Sequence, residues 1–442
     1  MAATDPDKET ASSINTGSDT LIDVEDFLRQ HSVEDLCATA EDYFSRLDGE
    51  ELIVHEARKP FANLLEAPQS LHKLGHLLGG LRLGQGMTVM DFGAGLGWLS
   101  RHLNQLGCET VSVDVSATAL RLGEQAFERH YVGERQAPAH FVPYDGHRVD
   151  WSDDSVDRVI CFDAFHHIPN QREALAEMQR VLRPGGIAGF AEPGRKHSRT
   201  APAQMEMARL ATLENDIRLE DIFGLAREVG FTDLACTQGI PQPTLFALDE
   251  YLAIVAPETA IGRLERWRSW WRRHVWPGHI WPGHVWPSRT ELKIRTMVQQ
   301  GMTDGPVFFL HNGPFTPDSR SPEGLGHRIE LGAVPARVAV GQALDLEITV
   351  TNTGTARWLN HSRNDFGAVR LGVQLVSGES SNDDFARQPL GSDVAPGESL
   401  DLRVSVSLPQ GRHRLRLDLV AEHVAWFERL GSPVPEFEID VA

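Results

Sequence analysis

The seven residues Asp91-Phe92-Gly93-Ala94-Gly95-Leu96-Gly97 hold the most specific chemistry in the chain. Glycines at a strand-to-helix turn reach backbone conformations closed to other residues and let a ligand approach the main chain. Dinucleotide folds use such a trio to bring helix-end amides to a pyrophosphate. Asp91 argues against that use, because a carboxylate beside a pyrophosphate is repelled; it suits a ligand with a positive ammonium group. Asp114 ends the next apolar run, where its carboxylate can accept hydrogen bonds from both hydroxyls of a ribose. At Asp145-Gly146 the carboxylate can accept from an exocyclic amine while the glycine permits close packing.

A second set of residues could handle a proton. Phe165-His166-His167-Ile168-Pro169 falls just past the carboxyl end of an expected strand. Histidine titrates near neutrality, so either imidazole could serve as a base, or could shape or orient the acceptor side; the spacing does not choose between them. Glu192, in AEPGRKHS, could orient a hydroxyl, accept its proton, or belong to an ordinary turn. His197 lies in the same segment, and Arg195 and Lys196 there suit an anionic acceptor. No compact acidic ligand set is visible, so no metal is expected.

These side chains need strands to carry them. MTVMDF, TVSVDVS, SVDRVICFDAF and GGIAGFAEPG read as buried strands, and WLSRHLNQLG, ATALRLGEQAFERHYV and REALAEMQRVL as the helices between them. Such alternation predicts an α/β fold with a mainly parallel sheet, whose ligands sit at the carboxyl ends of the strands. Residues 21–60 and the Leu71, Leu74, Leu77, Leu78 series ending at Gly79-Gly80 predict helices ahead of the sheet, and 213–231 a helix within it. From about Ala333, LDLEITV and LDLRVSV alternate at period two between turns, which predicts an antiparallel β-sandwich.

The 442 residues exceed one ordinary domain. A net charge of -20 disfavours general nucleic-acid binding. Cys37, Cys108, Cys161 and Cys236 form no CxxC pair, which fits a reducing cytoplasm. The polar first twenty residues read as a disordered tail without a secretory signal, and no apolar run is long enough to span a membrane.

MDFGAGLGWLS, VDVS, YDG, CFDAFHHIPN and VLRPGGIAGFAEPG together resemble the motifs of class I S-adenosylmethionine-dependent methyltransferases of the type 11 kind, over roughly residues 65–235. The resemblance implies a Rossmann-like domain with S-adenosylmethionine as cofactor, held by Asp91, Gly93, Ala94, Gly95, Asp114, Val115, Asp145, Gly146 and Asp163. It places Gly93 and Gly95 at the methionine part, Asp114 at the ribose and Asp145 at the adenine amine. The acceptor-side candidates are His166, His167, Glu192 and His197.

The C-terminal region, from about 325, resembles the sandwich appended to polysaccharide transport ATPases, which implies glycan recognition. Trp358, Trp426 and Phe427 would then stack on sugars, with Asn352, Asp365 or Glu422 as hydrogen-bonding groups; the alternative is that Trp358 anchors the core. The expected organisation is a tail (1–20), N-terminal helices (21–64), a methyltransferase domain (65–250), a Trp/Arg/His-rich connecting region (251–324) and a β-sandwich for glycan binding or oligomerisation (325–442). The expected acceptor is a carbohydrate hydroxyl of a bacterial surface glycan or its precursor. The alternatives are a small-molecule acceptor with a structural sandwich and a weakly catalytic glycan-binding scaffold. The expected location is the cytoplasm or the periphery of the inner membrane.

One motif stays outside this scheme. His274 to Pro287, HVWPGHIWPGHVWP, repeats a five-residue unit whose prolines exclude a regular helix. With Trp267, Trp270, Trp271 and the neighbouring arginines it reads as a subunit or domain contact, an acceptor-side wall, a membrane-surface patch, a metal loop or an expanded surface loop.

Overall fold

A computed structural model describes residues 21–133, 137–237, 245–256, 289–303, 305–377 and 380–442, and four positions between 263 and 270. The repeat at 274–287 and the expected tail at 1–20 lie outside the described residues.

The N-terminal part is an α/β layer structure. Four helices come first: α1 Val24–Gln30, α2 Val33–Arg46, α3 Gly49–Arg58 and α4 Ala67–Leu81. Where the sequence predicted one helical stretch over 21–60, Asp23, Ser32 and Asp48 each accept hydrogen bonds from backbone amides at a helix start and divide it into three. There follow β1 Thr88–Phe92, α5 Trp98–Gln105, β2 Glu109–Asp114, α6 Ala117–His130, β3 Ala139–Pro143, β4 Val156–Phe162, α7 Gln171–Val181 and β5 Leu182–Ala191. Then come α8 Ala201–Leu210, α9 Leu219–Glu228, β6 Asp233–Thr237, α10 Leu248–Val255, α11 Arg289–Thr303 and β7 Val307–His311.

The seven strands stand in the order β3-β2-β1-β4-β5-β7-β6. All pairings are parallel except those of β7, which runs antiparallel to both β5 and β6. One face packs Leu77, Leu81, Leu99 and Leu103 from α4 and α5 over Val89, Ile160 and Phe309. The other packs Leu175, Met178, Ile222 and Ala226 from α7 and α9 over Met90, Val111, Val159 and Phe308. This is the expected Rossmann-like fold with its order reversing between β1 and β4, where a crevice opens at the strands' carboxyl ends.

Two details differ from the sequence reading. The connecting region predicted at 251–324 supplies β7, so the sheet is completed by residues well past 250. The helix predicted over 213–231 begins only at Leu219, because the backbone amides of Asn215 and Ser198 and the carboxylate of Asp216 are engaged elsewhere: Asn215 N donates to His166 O and Ser198 N to the Asp216 carboxylate.

The C-terminal region is β-rich. It contains β8 His327–Leu331, β9 Arg337–Val338, β10 Leu344–Asn352, β11 Val369–Ser377, β12 Ser380–Pro389, β13 Ser399–Val406, β14 Gly411–Ala421, β15 Ala425–Trp426 and β16 Glu436–Val441. They form a three-stranded sheet, β13-β10-β8, and a larger one, β12-β11-β14-β16-β9. The period-two pattern is explained by one shared core: Leu346, Ile348 and Val404 from the first sheet meet Leu371, Leu417 and Ile439 from the second. Trp358 and Phe427 are fully buried in that core, and Trp426 and Asn352 are buried as well. Asn352 donates to the carbonyls of Ala356 and Val394, so its amide is spent inside the fold. Asp365 and Glu422 pair with Arg370 and Arg387. Core packing, rather than sugar stacking, accounts for Trp358 and Phe427.

Candidate active site

A cavity of about 390 Å³ lies at the carboxyl ends of β1, β2 and β4. Its floor is the glycine turn. Gly93 has φ +76°, and a Cβ there would come within 2.5 Å of Ala164 Cβ, so only glycine fits between the turn and the segment after β4. The amides of Gly93 and Ala94 donate to Val113 O, and Gly95 N donates to Asp114 Oδ2 at 2.8 Å. The second oxygen of Asp114 accepts from Ser116 N at 2.9 Å. Burial raises the affinity of Asp114 for its proton, yet the carboxylate still lines the cavity.

Asp91 stands behind the turn. It accepts from the Ser100 amide at 3.2 Å and the Ser100 hydroxyl at 2.9 Å, capping the first turn of α5. It is buried and lies off the cavity wall, and burial, with Asp114 and Glu56 nearby, pushes its carboxyl up to about 7. Asp145 is turned away as well: its exposed carboxylate accepts from the amides of His147 and Arg148. Gly146 and Tyr144 line the wall at that point. The Tyr144 hydroxyl is buried and has no hydrogen-bond partner among the described residues. Gly93, Gly95, Asp114, Val115, Gly146, Asp163 and His167 are the sequence candidates that reach the cavity; Asp91, Ala94, Asp145, His166, Glu192 and His197 do not.

The roof comes from α2, which contributes Val33, Leu36, Cys37, Tyr43 and Phe44. Glu41 fixes it in place by accepting from Ser116 Oγ at 2.7 Å, Thr118 Oγ1 at 2.6 Å and Thr118 N at 3.1 Å. Against the upward push of burial, these bonds hold the Glu41 carboxyl down to about 2. Asp163, at the end of β4, pairs with the buried Lys73 of α4 at 2.6 Å.

The two adjacent histidines have different places. His166 is buried behind the wall. Its Nδ1 lies 2.7 Å from Glu192 Oε2, and Glu192 also accepts from the amides of Ala164 and Phe165. Burial lowers the basicity of His166, but the carboxylates of Glu192, Glu214 and Asp163 together more than reverse this, and Glu192 in turn is held below the usual carboxylate range. His167 faces the cavity. Its Nδ1 donates to Leu213 O at 2.7 Å, and Nε2 has no partner among the described residues. Burial and the neighbouring His166 push His167 down to about 4, so it is neutral at pH 7 with an unprotonated Nε2.

Sequence reasoning missed three acceptor-side or cavity residues. Tyr144 was hidden in the motif that drew attention to Asp145. Glu206, on α8, lines the cavity with its carboxyl raised to about 7 by burial and by Glu214. Glu214 is buried and bonds His197 Nε2 at 2.6 Å. The only sequence signal was the acidic run LENDIRLED after an apolar turn, which reads equally well as a solvated helix start.

Residues 90–190 match the type 11 methyltransferase domain family. Demethylmenaquinone methyltransferase of Renibacterium salmoninarum is 29% identical over 133 residues, covering 29% of this chain and 52% of that protein. The corresponding enzyme of Mycobacterium bovis is 33% identical over 116 residues, 26% of this chain and 45% of that protein. Sterol 4-C-methyltransferase strm-1 of Caenorhabditis elegans is 27% identical over 123 residues, 28% of this chain and 35% of that protein. The chain thus spans about half, or less, of the length of these relatives. The matched segment is a methyltransferase domain of the S-adenosylmethionine-dependent class, and S-adenosylmethionine is that domain's cofactor. Among the described residues no helix is long and apolar enough to cross a membrane.

Proposed function

We propose that this protein transfers the methyl group of S-adenosylmethionine to a small, largely apolar acceptor that presents its nucleophilic atom to His167. The observation that carries the reading is one cavity that joins Gly93, Gly95 and Asp114, with the Phe44 ring over Gly95, to an apolar part where Leu36 and Leu213 lie beside His167. Gly93 and Gly95 would admit the methionine part, and Asp114 would accept from the ribose hydroxyls. Asp91 and Asp145 would act at one remove, by holding the α5 cap and the 145–148 turn. The cofactor, when bound, supplies a methyl group made electrophilic by its sulfonium.

The chain's own task is then to hold the acceptor in line and to take its proton. A neutral His167, oriented by its bond to Leu213 O, can accept that proton at Nε2. A carbohydrate acceptor would call for a polar wall. The wall is mostly apolar, so the small-molecule alternative is the better supported one, with the C-terminal β-sandwich, in this reading, a structural appendage. The matched relatives named for menaquinone and sterol substrates agree with an apolar acceptor.

The test offers labelled S-adenosylmethionine with apolar phenols, quinols and sterols beside sugar nucleotides and glycans. Label is expected in the apolar set, and transfer to carbohydrates alone would overturn the assignment. His167→Phe is expected to lower turnover about 100-fold or more while cofactor affinity changes little.

A further inference from the structure

We propose that His166, His197 and Glu214 form a binding site for one divalent transition-metal ion of the zinc class, set behind the acceptor wall. The proposal does not depend on the methyl-transfer reading. The three residues come from three separate segments: the turn after β4, the turn after β5 and the loop before α9. Their candidate ligand atoms all lie within 4.8 Å of one another. Two imidazoles and one carboxylate are a donor set that zinc and its neighbours favour.

The geometry is close to that of a loaded site. Ligand atoms about 2.0–2.1 Å from a tetrahedral ion stand roughly 3.3 Å apart. His166 Nε2 is 3.7 Å from Glu214 Oε2, too long for a hydrogen bond and near the spacing of two ligands on one ion. His197 Nε2 is 2.6 Å from the same oxygen and would have to open by a little over half an ångström. The other oxygen, Glu214 Oε1, is buried and lies 3.4 Å from His167 Nδ1, outside hydrogen-bonding geometry.

The surroundings fit as well. His166 Nδ1 is taken by Glu192 at 2.7 Å, which leaves Nε2 as the ligand atom; a carboxylate that orients a histidine in this way is the usual support of a metal-bound imidazole. Three carboxylates, Glu192, Glu206 and Glu214, gather around the histidines, and the ion pairs of Glu192 and Glu214 are all with histidines. A divalent cation offsets that negative charge. Bound there, it would tie the three segments together beside His167 and Glu206. The sequence could not suggest the site, because its ligands are spread over 49 positions, from 166 to 214.

The full chain carrying His274→Ala, His279→Ala and His284→Ala removes the repeat as a competing site. After chelation and dialysis it is loaded with zinc, and metal is counted by mass spectrometry. One equivalent is expected, with at least a 10-fold weaker affinity in His197→Ala. Cobalt(II) titration of the unsubstituted site should give the intense visible band of a four-coordinate ion, a readout that needs no folded variant. Absence of that band, no retained zinc, or an unchanged equivalent in His197→Ala would each overturn the proposal.

Discussion

Asp91 carries the clearest consequence at the scale of a single residue. Its folded-state carboxyl sits at about 7, far above an unfolded aspartate near 4. The native state therefore holds a proton that the unfolded chain releases, and folding loses stability as pH rises from about 4 to about 7, then no further. The groups around it agree in sign: Asp114 and Glu56 raise the carboxyl further, and only the two bonds from Ser100 oppose them. Asp91→Asn can keep an acceptor for Ser100 and cannot ionise. Thermal melts without cofactor should show the variant gaining on the parent between pH 5 and 7.5; parallel pH profiles would contradict this. Asp114 differs because it reaches the cavity. Asp114→Ala should weaken S-adenosylhomocysteine binding about 10- to 100-fold by calorimetry, the scale of one or two charge-assisted hydrogen bonds. Sequence alone set both aspartates against the cofactor, Asp91 for an ammonium group and Asp114 for the ribose hydroxyls, whereas only Asp114 lines the cavity. It could say which residue types belong at the site, but not which way a side chain turns. Asp145 and the His166–His167 pair were ambiguous for the same reason, and the burial of one histidine with the exposure of the next to the cavity is settled by Glu192 and Leu213, distant in sequence.

At the scale of elements, two glycines decide how closely helices approach the sheet and its glycine turn. In α6, a Cβ at Gly123 would lie 2.8 Å from the Leu96 carbonyl oxygen, so this helix can rest on the glycine turn only without a side chain there. In α4, a Cβ at Gly80 would collide with the Phe309 ring of β7 at 2.0 Å. Gly123→Val presses on rigid backbone and should cost about 1–3 kcal/mol in urea melts while also weakening cofactor binding, because it displaces the turn itself. Gly80→Val should cost a similar amount but leave cofactor affinity nearly unchanged, since β7 lies on the far side of β5. Equal loss of binding in both variants would remove the distinction. The helices and the strands β1, β2, β4 and β5 were legible because amphipathic period and buried apolar runs alternate. VFFLH was not: a fully buried strand is a short apolar run without alternation, and this one returns only after the long segment that follows β6. Its place is set by β5 on one side, β6 on the other and Gly80 above, none of which local sequence contains.

Across the whole molecule, the sheet and the β-rich region are joined at the amino ends of the strands, opposite the cavity, through a short stretch that belongs to both. Ser319 is fastened to the β-rich region: its amide donates to Arg357 O, its hydroxyl to Gly367 O, and it accepts from Leu359 N. The next residue, Arg320, reaches into the other part and meets Asp157 of β4 at 2.9 Å, with Asp318 on its second side. Asp157 is buried, and against the cost of burial the guanidinium groups of Arg320 and Arg183 hold its carboxyl below the usual range. Arg363 adds a second tie to Glu109 of β2. Nothing in the linker sequence DSRSPEG marks Arg320 as different from other surface arginines, because its partner is 163 residues away. Removing one member of a buried charge pair costs about 3–5 kcal/mol, and Arg320→Met should fall at the low end because Arg183 remains with Asp157. The loss falls on the joint, so its signature should be cooperativity and not merely a lower melting point. Calorimetry of the parent should show one transition, and Arg320→Met should separate it into two. S-adenosylhomocysteine binds only the sheet part in this scheme, so it should raise one of the two transitions and leave the other in place. A single transition in Arg320→Met that moves as a whole with ligand would mean that the two parts are coupled through contacts other than this arginine.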